Sequence, residues 1–203
     1  MGGPGASGGL WVVLLRGLNV GRANRLTMAQ LRDALSEAGC SGARTYLQSG
    51  NAVVDAIPDT PPDEAAVRIA RTVAARTGSE VGVRVLEADA LQRVIDGNPF
   101  PDAAGQPTRL HLFFLSGVPA ADAASRLDEV ATPTERFELR GELLYLHAPD
   151  GIGRSKLAAS VERRLGVEAT ARNWRTVTAL AKLVRTDDDP TESGAAGGVS
   201  RER

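Results

Sequence analysis

Two strand-like apolar stretches frame this chain, WVVLL at 11–15 and RLHLFFL at 109–115. The first is a continuous apolar run, the mark of a strand buried on both faces, and the second alternates as a strand does. Each opens a similar succession of helix, hairpin and helix. A chain that repeats one order of strands and helices can bury both sets in a few ways only. The simplest is a two-layer α+β unit made twice.

The punctuation between the runs is specific. Thr27 and Gln30 have capping-box spacing, Leu26 and Leu31 that of a hydrophobic staple. Met28, Leu31, Leu35 and Ala38 follow a helical period, which Gly39 ends as a left-handed residue. TYLQ (45–48) and NAVV (51–54) read as a hairpin turning at Ser49 and Gly50. A second helix is expected from Thr60 as cap and Pro61 as its first residue, running to Gly78. VGVRVL (81–86) is then a fourth strand, which completes the β-α-β-β-α-β, or ferredoxin-like, order. A short helix over 88–96 and the loop GNPFPDAAGQP follow. In the second half, Pro119 is expected to open a helix that continues through Leu127 and Val130. RFELRGELLYLH (136–147) reads as a hairpin around Gly141. Leu157, Val161 and Leu165 mark a helix stopped by Gly166, and the last helix runs from 174 to about 185. The expectation is an α+β chain of duplicated ferredoxin-like halves packed as one body. Residues 10–100 form the first repeat, 101–108 a linker and 109–186 the second repeat. Residues 1–9 and the acidic, Gly-rich 187–203 have nothing to bury and are read as disordered tails.

Three stretches are more specific than this pattern: LLRGLNVG (14–21) leading into LTMAQLRDAL, TYLQSGNAVV (45–54) and SKLAASVERRLGVEATARNWRTVTAL (155–180). With NPF (98–100) and LYLHAPDGIGRSK (144–156), they closely resemble the bacterial domain of unknown function 1697 family over residues 10 to 185. The resemblance implies a two-repeat α+β fold and supplies no reaction. Arg22 departs from it, standing where the family usually has a second glycine after Gly21. Cys40 replaces a more usual aromatic.

Charge and composition narrow the functions. There are 24 basic and 25 acidic residues, a net charge of -1. That balance disfavours non-specific nucleic-acid binding, which runs on clustered basic residues. One cysteine, Cys40, allows no internal disulfide. Two histidines, His111 and His147, are too few for a His/Cys metal cluster, and no cofactor motif is present. No apolar run reaches membrane-span length. With no signal-peptide pattern at the start, the expected location is cytoplasmic.

The candidate site residues cluster at strand ends and helix starts. Arg16 ends the first strand and Asn19 lies in the loop after it, where α/β ligands gather. Arg16 can offer a forked donor to a phosphate or carboxylate, or it can brace the turn with Asn19. Asn51 closes the QSGN hairpin tip. Ser49 in that tip lacks a G-x-S-x-G elbow and reads as a turn residue. Ser155 and Lys156 in GIGRSK open a helix, whose N–H groups and dipole favour an anion. The order is not that of a Walker A loop, and Ser155 serves equally as a plain N-cap. Arg172, Asn173 and Trp174 sit in ARNWR. Asn173 is a natural cap, whereas arginines beside an indole can hold a planar anion. No nucleophile with its base and no carboxylate pair stands out.

The expected function is recognition of a phosphorylated or otherwise anionic small molecule, such as a nucleotide, in a cleft between the repeats. Arg16, Asn19, Asn51, Ser155, Lys156, Arg172 and Asn173 would be its donors and Trp174 a stacking face. A single-stranded nucleic-acid module, an enzyme on an anionic substrate and a scaffold with no small ligand stand as alternatives. The oligomeric state is not legible in the sequence.

Overall fold

The computed structural model describes residues 9–19 and 25–188. Apart from Gly9 and the helical backbone of residues 187–188, the expected tails lie outside the described residues, as does Arg22. The first module runs β1 (Leu10–Arg16), α1 (Met28–Glu37), β2 (Arg44–Thr45), β3 (Asn51–Asp55), α2 (Pro62–Thr77), β4 (Gly82–Glu87) and α3 (Ala88–Asp96). The second repeats that order. It runs β5 (Leu110–Leu115), α4 (Ala123–Asp128), β6 (Arg136–Arg140), β7 (Leu143–His147), α5 (Lys156–Leu165), β8 (Ala169–Asn173) and α6 (Trp174–Asp188). Each module holds a four-stranded antiparallel sheet, ordered β2-β3-β1-β4 in the first and β6-β7-β5-β8 in the second. The two orders are the same when counted within each module, so the halves share topology while differing in residues.

The apolar runs explain how the layers stack. In β1, Trp11, Val13 and Leu15 face α1 and α2, where they meet Leu31, Leu35, Ile69 and Val73. Val12 and Leu14 face the other way, into a core shared by both modules. Burial on both faces is what a continuous apolar strand requires. From the second module Leu112, Phe114 and Tyr145 enter the same shared core, with Leu91 and Val94 of α3 and Trp174, Val177 and Leu180 of α6 between the sheets. Phe113 and Leu115 point outward to α4 and α5, against Leu127, Leu157 and Val161. Each fully buried large side chain contributes about 1.5–3 kcal/mol of transfer free energy, so the shared layer holds the halves as one body.

Polar contacts fix the docking in a reciprocal way. Arg44 of β2 donates through Nη1 to the Leu183 carbonyl in the last turns of α6, at 2.7 Å. Arg140 of β6 donates through Nη1 to the Gly97 carbonyl just past α3, also at 2.7 Å. In each case an edge hairpin of one module supplies a cation near the C-terminal end of the other module's last helix, where the dipole favours it.

Local signals mostly act as their residues dictate. Thr27 and Gln30 form the capping box on α1, and Gly78 and Gly166 end α2 and α5 in the left-handed conformation. Three expectations need correction, and one strand goes unread. The N-cap of α2 is Pro61, with Pro62 its first residue; Thr60 turns its hydroxyl to the Pro58 carbonyl instead. Helix α4 starts at Ala123, because Pro119 and the residues after it form a turn rather than a helical start. Strand β2 is two residues long, since Leu47 takes φ +56° and breaks the ladder. VEATARN, to which the pattern assigns no element, holds the fourth strand of the second half. Ala169–Asn173 is β8, an edge strand whose mixed polarity hides its period.

Candidate functional site

The tip of the first module is built around a buried asparagine. Asn51 is fully enclosed. Its Nδ2 donates to the Tyr46 carbonyl and to Ser49 Oγ, both at 2.9 Å, which closes the 46–51 turn. Gly50 takes φ +77° there, and its carbonyl accepts from Leu15 N at 2.8 Å. Asn19, itself at φ +58°, ties the neighbouring loop to this turn. Its Nδ2 donates to the Gln48 and Leu26 carbonyls, and its Oδ1 accepts from Leu26 N.

Arg172 reaches into this tip from the second module. It leaves β8 and donates through Nε to Asn51 Oδ1. Its Nη2 donates to the Leu15 carbonyl at 2.7 Å and to those of Gly50 and Ser49 at 3.1 and 3.2 Å, and its Nη1 to Ala171. Burial pushes its guanidinium down to about 10, so it stays charged at neutral pH. A cation taken out of water needs compensating acceptors, and here neutral oxygens supply them. Asn19, Asn51 and Arg172 are thus brought together, with their polar atoms directed at the chain itself.

Arg16 lies next to this cluster and faces outward. Its Nη1 pairs with Glu162 and its Nη2 with Glu168, both at 2.7 Å, so a first-module arginine meets two second-module acids. Its side chain is 36% exposed. Three adjoining grooves meet at Arg16. One of about 240 Å³ lies between the modules, with Arg84, Phe114, Ser116 and Thr170 in its wall. A second, of about 380 Å³, follows α2. The third, of about 300 Å³, follows α5. Arg84, on β4, pairs with Glu142 at the β6–β7 turn.

The other candidates stand apart from this junction. Ser155 Oγ accepts from Ala158 N at 2.9 Å and caps α5. Lys156 is the exposed first residue of that helix, and neither residue lines the grooves at Arg16. Asn173 Oδ1 accepts from the Thr176 N–H and hydroxyl at the start of α6. Trp174 is buried in the shared core. The ARNWR stretch therefore sends Arg172 into the first module, Asn173 to a helix cap and Trp174 inward. Arg84 is the groove residue that the sequence pattern conceals. An arginine at an inner position of VGVRVL was its only signal.

The histidines are buried in strands, and burial is the main cause lowering both below the usual imidazole range. At His147 the neighbouring Arg136 lowers it further and Asp102 opposes. His147 Nδ1 lies 3.2 Å from Arg136 Nη2 and accepts from it, which leaves the neutral ring's proton on Nε2. Among the described residues no group of three or more metal-ligating side chains converges. No described helix is long and apolar enough to cross a membrane.

The fold and this junction define a two-module α+β protein whose repeats are pinned together by Arg172 and whose inter-module groove is bordered by Arg16. The chain belongs to the family described as "Protein of unknown function (DUF1697)", whose model matches residues 10–145. It is similar to a solved structure described as that of conserved bacterial protein SP0830 from Streptococcus pneumoniae. The TM-score is 0.68 at 18% identity, covering 87% of this chain and 98% of that one. At that identity the likeness is one of fold. No curated protein matches the sequence.

Proposed function

We propose that the chain is a recognition protein that holds an anionic ligand in the inter-module groove, with Arg16 and Arg84 as its donors. The observation that carries this reading is the position of Arg16 at the meeting of three grooves, half-exposed and within reach of both modules. Its present partners, Glu162 and Glu168, are on exposed side chains. Ion pairs of that kind contribute about 0–1 kcal/mol. A phosphate or carboxylate that receives forked bonds from two arginines displaces them at little cost. Asn19, Asn51 and Arg172 serve this site by fixing the strand ends that carry Arg16. Ser155 caps α5, which carries Glu162 and borders the third groove; Lys156, Asn173 and Trp174 stand outside the site. Asp63 and Glu168 in the same wall disfavour a long polyanion, which sets single-stranded nucleic acid behind a compact ligand.

A thermal-shift panel of nucleotides, sugar phosphates, pyrophosphate, dicarboxylates and short single strands tests the reading. A ligand at 100 times its Kd adds about 2.7 kcal/mol, a rise of roughly 5–10 °C at this chain length. The rise should vanish in Arg16→Gln. A flat panel, or a rise that survives Arg16→Gln, removes Arg16 from any site.

A further inference from the structure

We infer that the occupant of this groove is an extended peptide segment bearing a carboxylate, which adds as a strand to the outer edge of β4. This rests on the reading of Arg16 and Arg84 as anion donors and goes further in naming the partner's chemistry.

Three observations converge. First, β4 is the outer strand of its sheet. It pairs in continuous register with β1, from Trp11↔Glu87 to Arg16↔Gly82, and no other described backbone group bonds to it. Its sequence, GVRVLE, has neither a proline nor a bulge to guard that edge, and its one cation, Arg84, is drawn to Glu142 of the second module. An open edge of this kind is a template for another strand.

Second, the two grooves that share Arg16, Val67, Gly82 and Glu168 form one trough beside the Gly82–Arg84 stretch of that edge. Its far wall is a stripe of α2. Asp63, Val67, Ala70 and Ala74 recur at helical spacing and all line it. From Asp63 to Ala74 the helix rises about 16 Å, the length of about five residues of extended chain. A single phosphate or a dicarboxylate would fill only the stretch around Arg16, where the two grooves join.

Third, the trough suits a peptide in character. Val67 is a large apolar side chain left 50% exposed, and small or apolar Ala70, Ala74 and Val81 continue from it. Arg16, Arg71 and Arg84 share the trough with Asp63, Glu80 and Glu168. That mixture repels a polyanion and leaves room for a peptide with a single carboxylate, placed between Arg16 and Arg84 in the inter-module part of the trough. Main-chain bonds to β4 would supply affinity, and apolar side chains at alternate positions would meet Val67 and its neighbours.

The test uses the full chain and a fluorescein-labelled positional-scanning hexapeptide library, in free-carboxylate and C-terminally amidated forms, with pyrophosphate as a separate probe. The expected result is saturable anisotropy for a subset with alternating apolar positions. Methylating alternate backbone amides of a selected peptide should weaken it by about tenfold or more, as should Val67→Asp, which lies at an exposed position. The β4 amides that border the trough, within Gly82–Arg84, should exchange more slowly when the peptide is bound. Loss on amidation, or on replacing an acidic side chain of the selected peptide by its amide, is expected; binding that survives both changes overturns the carboxylate. If no peptide binds while pyrophosphate still binds in an Arg16-dependent way, strand addition is overturned and the anion site stands. If neither binds, both fall. Peptide binding insensitive to N-methylation, or to Val67→Asp, also overturns the inference.

Discussion

Replacing Arg172 with alanine tests the joint between the modules. The guanidinium ends on Asn51 Oδ1 and on the carbonyls of Leu15, Ser49 and Gly50. In Arg172→Ala, Asn51 remains fully enclosed and its Oδ1 loses that donor, at a cost of about 1–3 kcal/mol. The Leu15 and Ser49 carbonyls lose a charged donor as well, while Gly50 keeps its bond from Leu15 N. Against these stands the relief of no longer burying a cation, which offsets part of the loss. The net destabilisation should be about 2–4 kcal/mol, or roughly 5–15 °C in Tm at this size. Arg172→Lys should recover only part of it, because an ammonium cannot present the same planar fork. Calorimetry of the two variants, with Asn51→Ala and the double mutant, closes a cycle. A coupling of about 1–3 kcal/mol between positions 51 and 172 is expected. Additive effects, or an Arg172→Ala melt at the parent temperature, would refute the role of Arg172 as a pin.

Gly50→Ala should lower stability by about 1–3 kcal/mol in urea unfolding, since φ is +77° and a Cβ would lie 2.9 Å from that of Leu15. Removing the α1 cap with Thr27→Ala should cost about 1 kcal/mol by the same assay and leave ligand binding intact. Stability should also fall on acidification. Both His111 and His147 are lowered below 6.5 in the fold, so the unfolded chain binds protons first. Their contribution is complete above pH 6.5 and is lost as pH falls through the lower folded values. Asp102 and Asp122, each lowered below 3.8 chiefly by an arginine hydrogen bond, add their loss only below about pH 4. Urea midpoints between pH 7.5 and 5 that do not fall would contradict the histidine account.

Most of the framework was legible because its signals are local. The apolar run at 11–15, the capping box at Thr27 and the left-handed glycines each declare a structure without reference to distant residues. The sequence hid what depends on the partner module. Strand β8 was missed because ATARN alternates Thr170 and Arg172 inward across a surface created only when the modules dock. For the same reason Arg172 read as a ligand wall. An arginine that binds the side-chain oxygen of Asn51, 121 residues away, and the turn carbonyls beside it looks like any exposed arginine until that turn is in place. Arg16 was legible as a candidate, since it ends a strand beside a glycine. Arg84 and the α2 stripe were not, because a groove between two elements belongs to neither sequence.

The most direct test of Arg16 and Arg84 as the anion donors is the guanidinium Nε–Hε NMR spectrum of the full chain, titrated with pyrophosphate. The predicted result is a saturable shift of the Arg16 and Arg84 resonances while that of Arg172, held by the Asn51 turn, stays in place. Small shifts scattered over many surface arginines, or a titration that leaves Arg16 unmoved, would contradict the assignment of the inter-module groove as the binding site.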